Sequence, residues 1–505
     1  MEYTHRSVVV QAFRPAVTVA QAFRPAVTVF AAFLLLAFAA AGCATNPATG
    51  NRQFSLLSEE QEIEAGRQND AQVLAEMGIY DDRALQEYVT SVGLRLAAVS
   101  ERPTLQWHFT VVDVPAINAF ALPGGYIYVT RGILPFLDDE SQLAAVLGHE
   151  IGHVTARHSV QQYSKAAGAQ IGLILGSIFA PGGAPTAQLG AAGLGVLFLK
   201  NSRDDEAQAD GLGVRYVSRA GWDPAGLPRM LTTLGRVEDE SDNKGVPNWL
   251  LTHPAPADRV QRVQSAVQLA EANDIRYKTD HDGYLQRVKG ITYGDNPDQG
   301  IMRERSFLHR SLRFSFDFPE GWNVQNGQAQ VVAREPGGKA LMILQNEPLT
   351  SAPDIRDLAI RSMQRAGFRT VDGSETTVNG LRAFVGRYAG VLNNLGRVQV
   401  SAVHLVHDRE IFLVAGIAPA EAFAGVEPAF ARSLRSFRPL SAAEAERIRP
   451  NRIDLYTARD GDTWQSIAER QSKGLVKSST LAIMNGHTAA DQPRPGERLK
   501  IVVGG

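Results

Sequence analysis

The chain has 505 residues, of which 44% are hydrophobic and 21% are charged. This length exceeds what one hydrophobic core usually supports, so we expect several folded units of globular composition. The formal net charge of -2 at pH 7 provides no field that would hold a polyanion. We therefore expect no nucleic acid among the partners of the protein.

The first 42 residues are typical of a secretory signal peptide. Three arginines precede an apolar run at 26–42 that ends in small residues, and the run is too short to favour a permanent membrane span. Cys43, the only cysteine, follows directly in AAGC, which resembles a bacterial lipobox. The resemblance implies a lipid anchor at Cys43 and a lipoprotein on the periplasmic face of the outer membrane. A plain cleaved signal and a soluble periplasmic protein are the alternative.

Residues 43–57 are a turn-rich lead-in to the first large domain, which we place at 58–290. Ser58, followed three residues later by Gln61, predicts a capping box at the start of a long surface helix. A stretch of low hydrophobicity at 273–305 marks the far boundary of this domain.

Two strands and several helices are predicted inside this domain. Apolar and polar residues alternate at 105–114 and 126–130, as they do in strands. Helical periodicity predicts three helices, at 138–158, 203–220 and 257–272. Glycine, alanine and aliphatic residues fill 166–199, where neither half is long enough to span a bilayer. A buried helical hairpin and a membrane-facing flap both fit that segment.

The string LGHEIGHVTARH contains the pattern His-Glu-x-x-His. His149 and His153 are four residues apart on a helix, so both imidazoles project from one face and can share one cation. Glu150 is displaced around the helix. It is therefore poorly placed to bind the same ion, but it can reach a water molecule bound to that ion.

A third protein ligand decides between classes of zinc peptidase, because catalytic zinc usually has three and keeps one position open. Metzincins require glycine and histidine where this chain has Ala156 and Ser159, and His158 is one residue off. The other option is a glutamate on a later helix, with an aspartate one turn further on. Glu206 and Asp210 in the string RDDEAQAD provide that pair.

The chain resembles the HtpX/BepA-type zinc metallopeptidases, a family that also holds the CAAX prenyl proteases, in NAFALPGGYIYVTRGIL, LGHEIGHVTARH, SRDDEAQAD and THPAPADR. The resemblance extends over residues 46–272. It implies a gluzincin with one Zn²⁺ per chain, held by His149, His153 and Glu206. It also implies that Glu150 is the general base of peptide hydrolysis.

Three residues around this ligand set receive predicted roles. Asp210 is suited to accept the outer N–H of a ligating histidine. The resemblance implies that His253, in THP, either stabilises the oxyanion or blocks the open position at rest; an incidental loop histidine is the alternative. Arg203 is predicted beside the site, either in a structural ion pair or in catalysis.

The segment that begins at Asn118 resembles the family's edge strand beside the cleft. An extended substrate could pair with Ala119 and Phe120, main chain to main chain, which accounts for broad sequence tolerance. Gly124 and Gly125 would permit close approach of a backbone. An ordinary hairpin in a covered sheet is the alternative.

Beyond the boundary we predict a compact α+β domain at 306–438. Strict alternation at 312–318 opens it. Further strand patterns follow in ALMIL, RAFVGRY, VQVSAVHLV and IFLVAGI, and helical patterns at 354–366 and 419–434 interrupt them. The string FDFPEGW resembles the opening of PsbP-like domains. His404 and His407 lie three apart in a strand pattern, so they point to opposite faces and are predicted to be structural.

Residues 450–505 resemble the lysin motif (LysM) along their length. The succession is strand, Gly-Asp-Thr turn, helix, a second helix followed by Asn485, a Pro-Gly turn and a strand. Trp464, where leucine is commoner, and a longer helix connection depart from the pattern. Because LysM domains bind N-acetylglucosamine chains, the resemblance implies peptidoglycan as a partner. A β-α-α-β module used only for packing is the alternative.

These features together predict an α+β multidomain protein. It comprises a mainly helical zincin-type metallopeptidase domain with a small sheet, an α+β domain and a small β-α-α-β LysM-like domain. The predicted function is a zinc endopeptidase of the bacterial envelope that hydrolyses misfolded or misassembled envelope proteins. One alternative is a peptidoglycan-binding envelope protein whose zinc domain acts as a chaperone or latch, and another is a peptidoglycan amidase.

Overall fold

The structure is a computed structural model that describes most of the chain. The described residues are 43–164, 201–240, 249, 253, 256–271, 275–327, 330–349, 354–392 and 395–505. The predicted signal peptide and the segment 166–199 lie outside these residues. Within the described parts of the chain, no helix combines the length and the apolar character needed to cross a membrane.

The N-terminal part of the chain folds into helices around a small sheet. It begins with a hairpin of β1 (Cys43–Thr45) and β2 (Arg52–Phe54). The helices that follow are α1 (Glu59–Met77), α2 (Arg83–Ala97), α3 (Glu140–Thr155), α4 (Arg203–Arg219), α5 (Gly226–Glu240), α6 (Pro256–Glu271) and α7 (His281–Val288). The strands are β3 (His108–Val112), β4 (Ala119–Leu122), β5 (Tyr126–Thr130) and, after α7, β6 (Thr292–Tyr293).

Helix α3 forms the centre of this part. Every one of its residues is buried, because α2, α4, α5 and the small sheet all pack against it. The sheet has the order β3-β5-β4, with β3 parallel and β4 antiparallel to β5, so β4 lies at an edge. The predicted capping box of Ser58 and Gln61 is confirmed at the start of α1.

An α+β unit follows, built on a seven-stranded sheet of order β10-β11-β12-β16-β15-β14-β13 and a four-stranded sheet of order β17-β9-β8-β7. Its early strands are β7 (Ile301–Arg303), β8 (Ser306–His309), β9 (Phe314–Asp317), β10 (Asn323–Asn326), β11 (Val331–Arg334) and β12 (Leu341–Pro348). Its later elements are α8 (Ile355–Arg365), β13 (Arg369–Val378), β14 (Leu381–Leu392), β15 (Gly396–His407), β16 (Glu410–Pro419), α9 (Phe423–Leu434), β17 (Arg438–Pro439) and α10 (Ala442–Glu446).

The last unit is a β-α-α-β succession. Its elements are β18 (Asn451–Thr457), α11 (Trp464–Arg470), α12 (Ser478–Met484) and β19 (Arg498–Val503). The whole arrangement is an α+β multidomain architecture, as the sequence predicts.

This last unit packs directly on the N-terminal part. β18 pairs with β6, and Phe136 belongs to the same hydrophobic cluster as Ile453. The buried ammonium group of Lys500 donates to the carbonyl oxygen of Leu137 at 2.6 Å. The C-terminal unit is thereby joined to the chain just before α3.

The low-hydrophobicity stretch 273–305 is not a simple boundary. It contains α7 and β6, and Tyr284 and Val288 of α7 are buried in the core of the N-terminal part. A short helix can pack against the core through one narrow apolar face. Its sequence therefore contains few apolar residues in total. The residues up to the end of α7 therefore pack with the N-terminal part, which is compatible with the predicted end of that domain at 290.

Candidate metal centre

Helices α3 and α4 approach closely through glycine residues. A Cβ added at Gly152 would lie 3.0 Å from the carbonyl oxygen of Ala209, and one at Gly213 would lie 3.2 Å from the backbone nitrogen of His149. Larger residues would push the helices apart. Glycine therefore brings the histidines of α3 within reach of Glu206 on α4.

Four buried side chains converge between these helices and the segment after α5: His149, His153, Glu206 and His253. Nε2 of His149 lies 3.0 Å from Nε2 of His153 and 3.2 Å from Nδ1 of His253. Oε1 of Glu206 lies 3.3 Å from Nε2 of His153 and 2.9 Å from Nδ1 of His253. Tetrahedral zinc, with ligand bonds of about 2.0–2.2 Å, places its ligand atoms roughly 3.3–3.6 Å apart. The group therefore fits one such ion with only small adjustments.

The protonation states of two of these side chains suit metal binding. Burial lowers the pKa of His149 to about 3, so its imidazole is neutral at pH 7. Burial opposes ionisation of Glu206, but electrostatic interactions and hydrogen bonds with His253 and His153 outweigh it and hold the pKa of Glu206 below its usual range. Metal ligands must be deprotonated, and both groups meet that requirement.

Arg259 connects the two buried acidic residues of α4, Glu206 and Asp210. Its guanidinium is buried and donates to both carboxylate oxygens of Asp210, at 2.9 and 2.7 Å. The guanidinium Nη1 lies 2.8 Å from Oε2 of Glu206. Oδ1 of Asp210 lies 3.0 Å from Nδ1 of His149, so Asp210 stands where a carboxylate orients a ligating imidazole.

Glu150 lies beside the ligand group. Its side chain is 1% exposed, and Oε1 lies 3.5 Å from Nε2 of His253. Burial raises the pKa of Glu150 to about 8, whereas a nearby cation acts in the opposite direction. Oε1 has no hydrogen-bond partner within the described part of the chain. A buried carboxylate oxygen of this kind is free to exchange a proton with a water molecule or substrate.

Trp249 holds His253 against the group. The two rings stack with centroids 4.1 Å apart and planes 18° apart. The backbone N–H of Trp249 donates to the carbonyl oxygen of Ile117, just before β4, at 2.9 Å. Sequence reasoning missed Trp249, although its position four residues before His253 was the available signal.

The prediction that Arg203 lies beside the metal is wrong. Arg203 is exposed in the first turn of α4, and it forms no ion pair with any residue that the structure describes. Arg259 occupies the buried position near the acidic pair instead. It is the last residue of the string THPAPADR, but the string alone did not reveal its partners.

The predicted edge strand is present but short. Ala119 and Phe120 lie in β4, and Asn118 precedes it. Both strand residues are buried, and Phe120 stacks on Tyr128 of β5 at 4.8 Å. The side chains of Ala119 and Phe120 thus contact the interior of the protein. The outer edge of β4 has no strand partner among the described residues.

Gly124 and Gly125 do not admit a substrate backbone. Both have positive φ, 78° and 96°. A Cβ at Gly124 would lie 2.7 Å from Cα of Ile63, and one at Gly125 would lie 2.7 Å from the carbonyl oxygen of Gln106. The close approach that they permit is to the chain's own backbone, so the substrate interpretation of these two glycines is wrong.

Comparison with known proteins places this site in a family. The pattern of peptidase family M48 matches residues 83–267. The beta-barrel assembly-enhancing protease of Yersinia pestis is 30% identical over 383 residues, which cover 72% of this chain and 76% of that protein. The chain belongs to peptidase family M48. All the residues of the buried group, and Arg259, fall within the matched range of this M48 chain, and the family implies a metal, typically zinc.

Two further proteins similar to this M48 chain are also named as peptidases. The beta-barrel assembly-enhancing protease of Escherichia coli (strain K12) is 30% identical over 258 residues, 49% of this chain and 52% of that protein. The mitochondrial metalloendopeptidase OMA1 of Schizosaccharomyces pombe is 31% identical over 245 residues, 46% of this chain and 70% of that protein. The chain thus spans about half the length of the Escherichia coli relative.

Proposed function

We propose that this protein is a zinc-dependent endopeptidase of the bacterial envelope. The proposal is carried by the buried group of three imidazoles and one carboxylate, whose ligand atoms lie within 4.8 Å of one another. His149, His153 and Glu206 are the permanent ligands. Zinc bound there would lower the pKa of a water molecule towards about 7 and polarise a peptide carbonyl.

Glu150 is the general base of this proposal. It is adjacent to the ligands yet not one of them, and Oε1 forms no hydrogen bond within the described structure. Glu150 takes a proton from the attacking water and delivers it to the leaving amine. Asp210 keeps His149 in the tautomer whose Nε2 lone pair faces the metal, and Arg259 fixes Asp210.

His253 is proposed to close the site at rest. A catalytic zinc keeps one position open. Nδ1 of His253 lies 2.9 Å from Oε1 of Glu206, and Nε2 lies 3.5 Å from Oε1 of Glu150, which supports a resting position of this ring as the fourth ligand beside Glu150. Movement of this ring would expose Glu150 and the fourth position together. This arrangement supports the blocking role for His253 over the oxyanion role.

Casein cleavage tests the peptidase proposal. Glu150→Gln keeps the side-chain shape but removes the base, so we expect activity to fall by about 10²–10⁴-fold with the zinc content unchanged. Asp204→Asn, which changes an exposed carboxylate in the first turn of α4, is the matched control and should keep full activity. Equal activity in wild type and Glu150→Gln would exclude this role for Glu150.

The same assay separates the two roles of His253. If its ring blocks the fourth position, His253→Ala raises basal cleavage. If the ring stabilises the oxyanion, the same substitution lowers cleavage.

A second candidate function is a metal-dependent latch or chaperone without peptidase activity. The arrangement of four protein ligands favours it, because four protein ligands are typical of structural zinc sites. That candidate predicts that neither the wild-type protein nor His253→Ala cleaves casein.

We further propose that the substrates are misfolded or misassembled envelope proteins. The relatives' names, which refer to beta-barrel assembly, and the lipobox-like string at Cys43 support this placement. An extended segment of substrate would pair with the outer edge of β4. Crosslinking from an introduced photoreactive residue at Asn118 should capture unfolded outer-membrane proteins but not their folded forms.

Two attachments are proposed for the rest of the chain. Residues 450–505, as a LysM-like module, would bind peptidoglycan, and purified sacculi should pull down the intact protein. Cys43 would carry the lipid anchor. Metabolic labelling with palmitate should mark wild type but not Cys43→Ser, and labelling of both proteins would contradict the anchor.

A further inference from the structure

His158 lies directly behind the metal ligand His153. Helix α3 ends at Thr155, and Arg157, with φ of 60°, forms a turn before His158. This turn buries His158 to 1% exposure and brings its Nδ1 to 2.9 Å from Nδ1 of His153. On its other side, Nε2 of His158 lies 2.9 Å from Oε1 of Gln208 on α4.

The chemistry of the three groups assigns each proton in this chain of contacts. A ligand that uses Nε2 must carry its proton on Nδ1, so Nδ1–H of His153 donates. Nδ1 of His158 then has to accept, which leaves the proton of a neutral His158 on Nε2. That N–H donates to Oε1 of Gln208, which can only accept.

We propose that His158 is a positioning residue, which fixes the tautomer and ring orientation of His153, and that Gln208 in turn fixes His158. This inference rests on the proposed function, because it takes His153 to be a metal ligand. His149 is oriented differently, since its Nδ1 faces the charged carboxylate of Asp210. The two ligating histidines therefore have one anionic and one neutral partner. Each partner orients the histidine ring that it contacts, but only Asp210 adds negative charge near the ion.

Other nearby groups do not account for the position of His158. Oδ1 of Asp205 lies 3.7 Å from Nε2 of His158, beyond hydrogen-bond distance. Ring centroids of His153 and His158 lie 4.9 Å apart at 74°, so the contact is between ring edges and not a stack. Both nitrogens of His158 are thus used in hydrogen bonds that run from the ligand to α4.

A matched pair of substitutions tests this role. The amide of asparagine reaches about as far as Nδ1 of histidine, whereas the amide of glutamine reaches about as far as Nε2. His158→Asn therefore keeps an acceptor for His153, and His158→Gln loses it. The full-length protein is titrated with zinc against a chromophoric chelator, and the cobalt-substituted protein is compared by its visible absorption.

Loss of a partner of this kind typically weakens metal binding 10–100-fold. We expect that weakening for His158→Gln, with an altered cobalt spectrum, and wild-type affinity within about threefold for His158→Asn. Circular dichroism of the metal-free proteins shows whether each variant folds. If either variant fails to fold, Gln208→Leu, which removes the acceptor of His158, should still weaken zinc binding relative to wild type.

Equal zinc affinity in wild type, His158→Gln and Gln208→Leu would overturn the inference, as would equal loss in folded His158→Asn and His158→Gln. Failure of the proposed function looks different. If wild type binds zinc and cleaves casein but the variants match it, only the positioning role fails. If wild type binds no zinc at all, both proposals fail.

Discussion

Removal of Arg259 should destabilise the metal-free protein severely. The side chain is 1% exposed and contacts two buried carboxylates, those of Glu206 and Asp210, at 2.7–2.9 Å. Arg259→Leu keeps part of the apolar stem but leaves both charges without their cation. Loss of one partner of a buried ion pair costs about 3–5 kcal/mol. With a urea m value of about 2 kcal/mol/M, the unfolding midpoint falls by roughly 1.5–2.5 M.

Urea unfolding followed by tryptophan fluorescence measures this effect, first in EDTA and then with zinc. Zinc supplies positive charge beside Glu206, so the deficit of Arg259→Leu should shrink when the metal is added. Arg262→Leu is the control, because Arg262 is exposed on the same helix and its loss should change stability by no more than about 0.5 kcal/mol. Equal midpoints for the two variants in EDTA would refute the reasoning.

Three further predictions concern Lys500, His404 and Trp249. Lys500→Met removes the donor to Leu137, so thermal unfolding should show a loss of about 1.5–3 kcal/mol; an unchanged Tm would count against the docking contact. Burial lowers the pKa of His404 to about 4, so wild type loses up to about 1.4 kcal/mol per pH unit between pH 6.5 and 4. His404→Leu should lack this dependence in urea unfolding at pH 7 and pH 5, and parallel losses would contradict it. Trp249→Leu removes the stack that holds His253, so basal casein cleavage should rise, and a fall would contradict the blocking role.

The sequence predicted the elements that have a strong apolar period. All residues of helix α3 and most residues of strands β15 and β16 are buried, so their sequences are rich in apolar residues and their patterns were clear. β13 was missed because seven of its consecutive residues, 371–377, are exposed at the sheet edge, and no apolar alternation marks them. The docking of the C-terminal unit was missed as well, since one of its contacts is made by Lys500, an ordinary surface residue by type, and another by the two-residue strand β6.

The site was predictable where spacing along one helix fixes geometry. His149, Glu150 and His153 share α3, and Glu206 was found through its helical spacing to Asp210. Contacts between elements distant in sequence were not predictable. The partners of Arg259 come from another helix, and His158 was considered only as a ligand because nothing in the sequence places its ring behind His153.

X-ray absorption at the zinc edge tests the central claim most directly. One equivalent of zinc should bind per chain of the purified wild-type protein. Its spectrum should show nitrogen and oxygen neighbours at about 2.0–2.1 Å and the multiple scattering of three imidazoles, and His253→Ala should leave two. A protein that binds no zinc, or a spectrum with fewer than two imidazoles in the wild type, would contradict the convergence of His149, His153 and Glu206 on one ion.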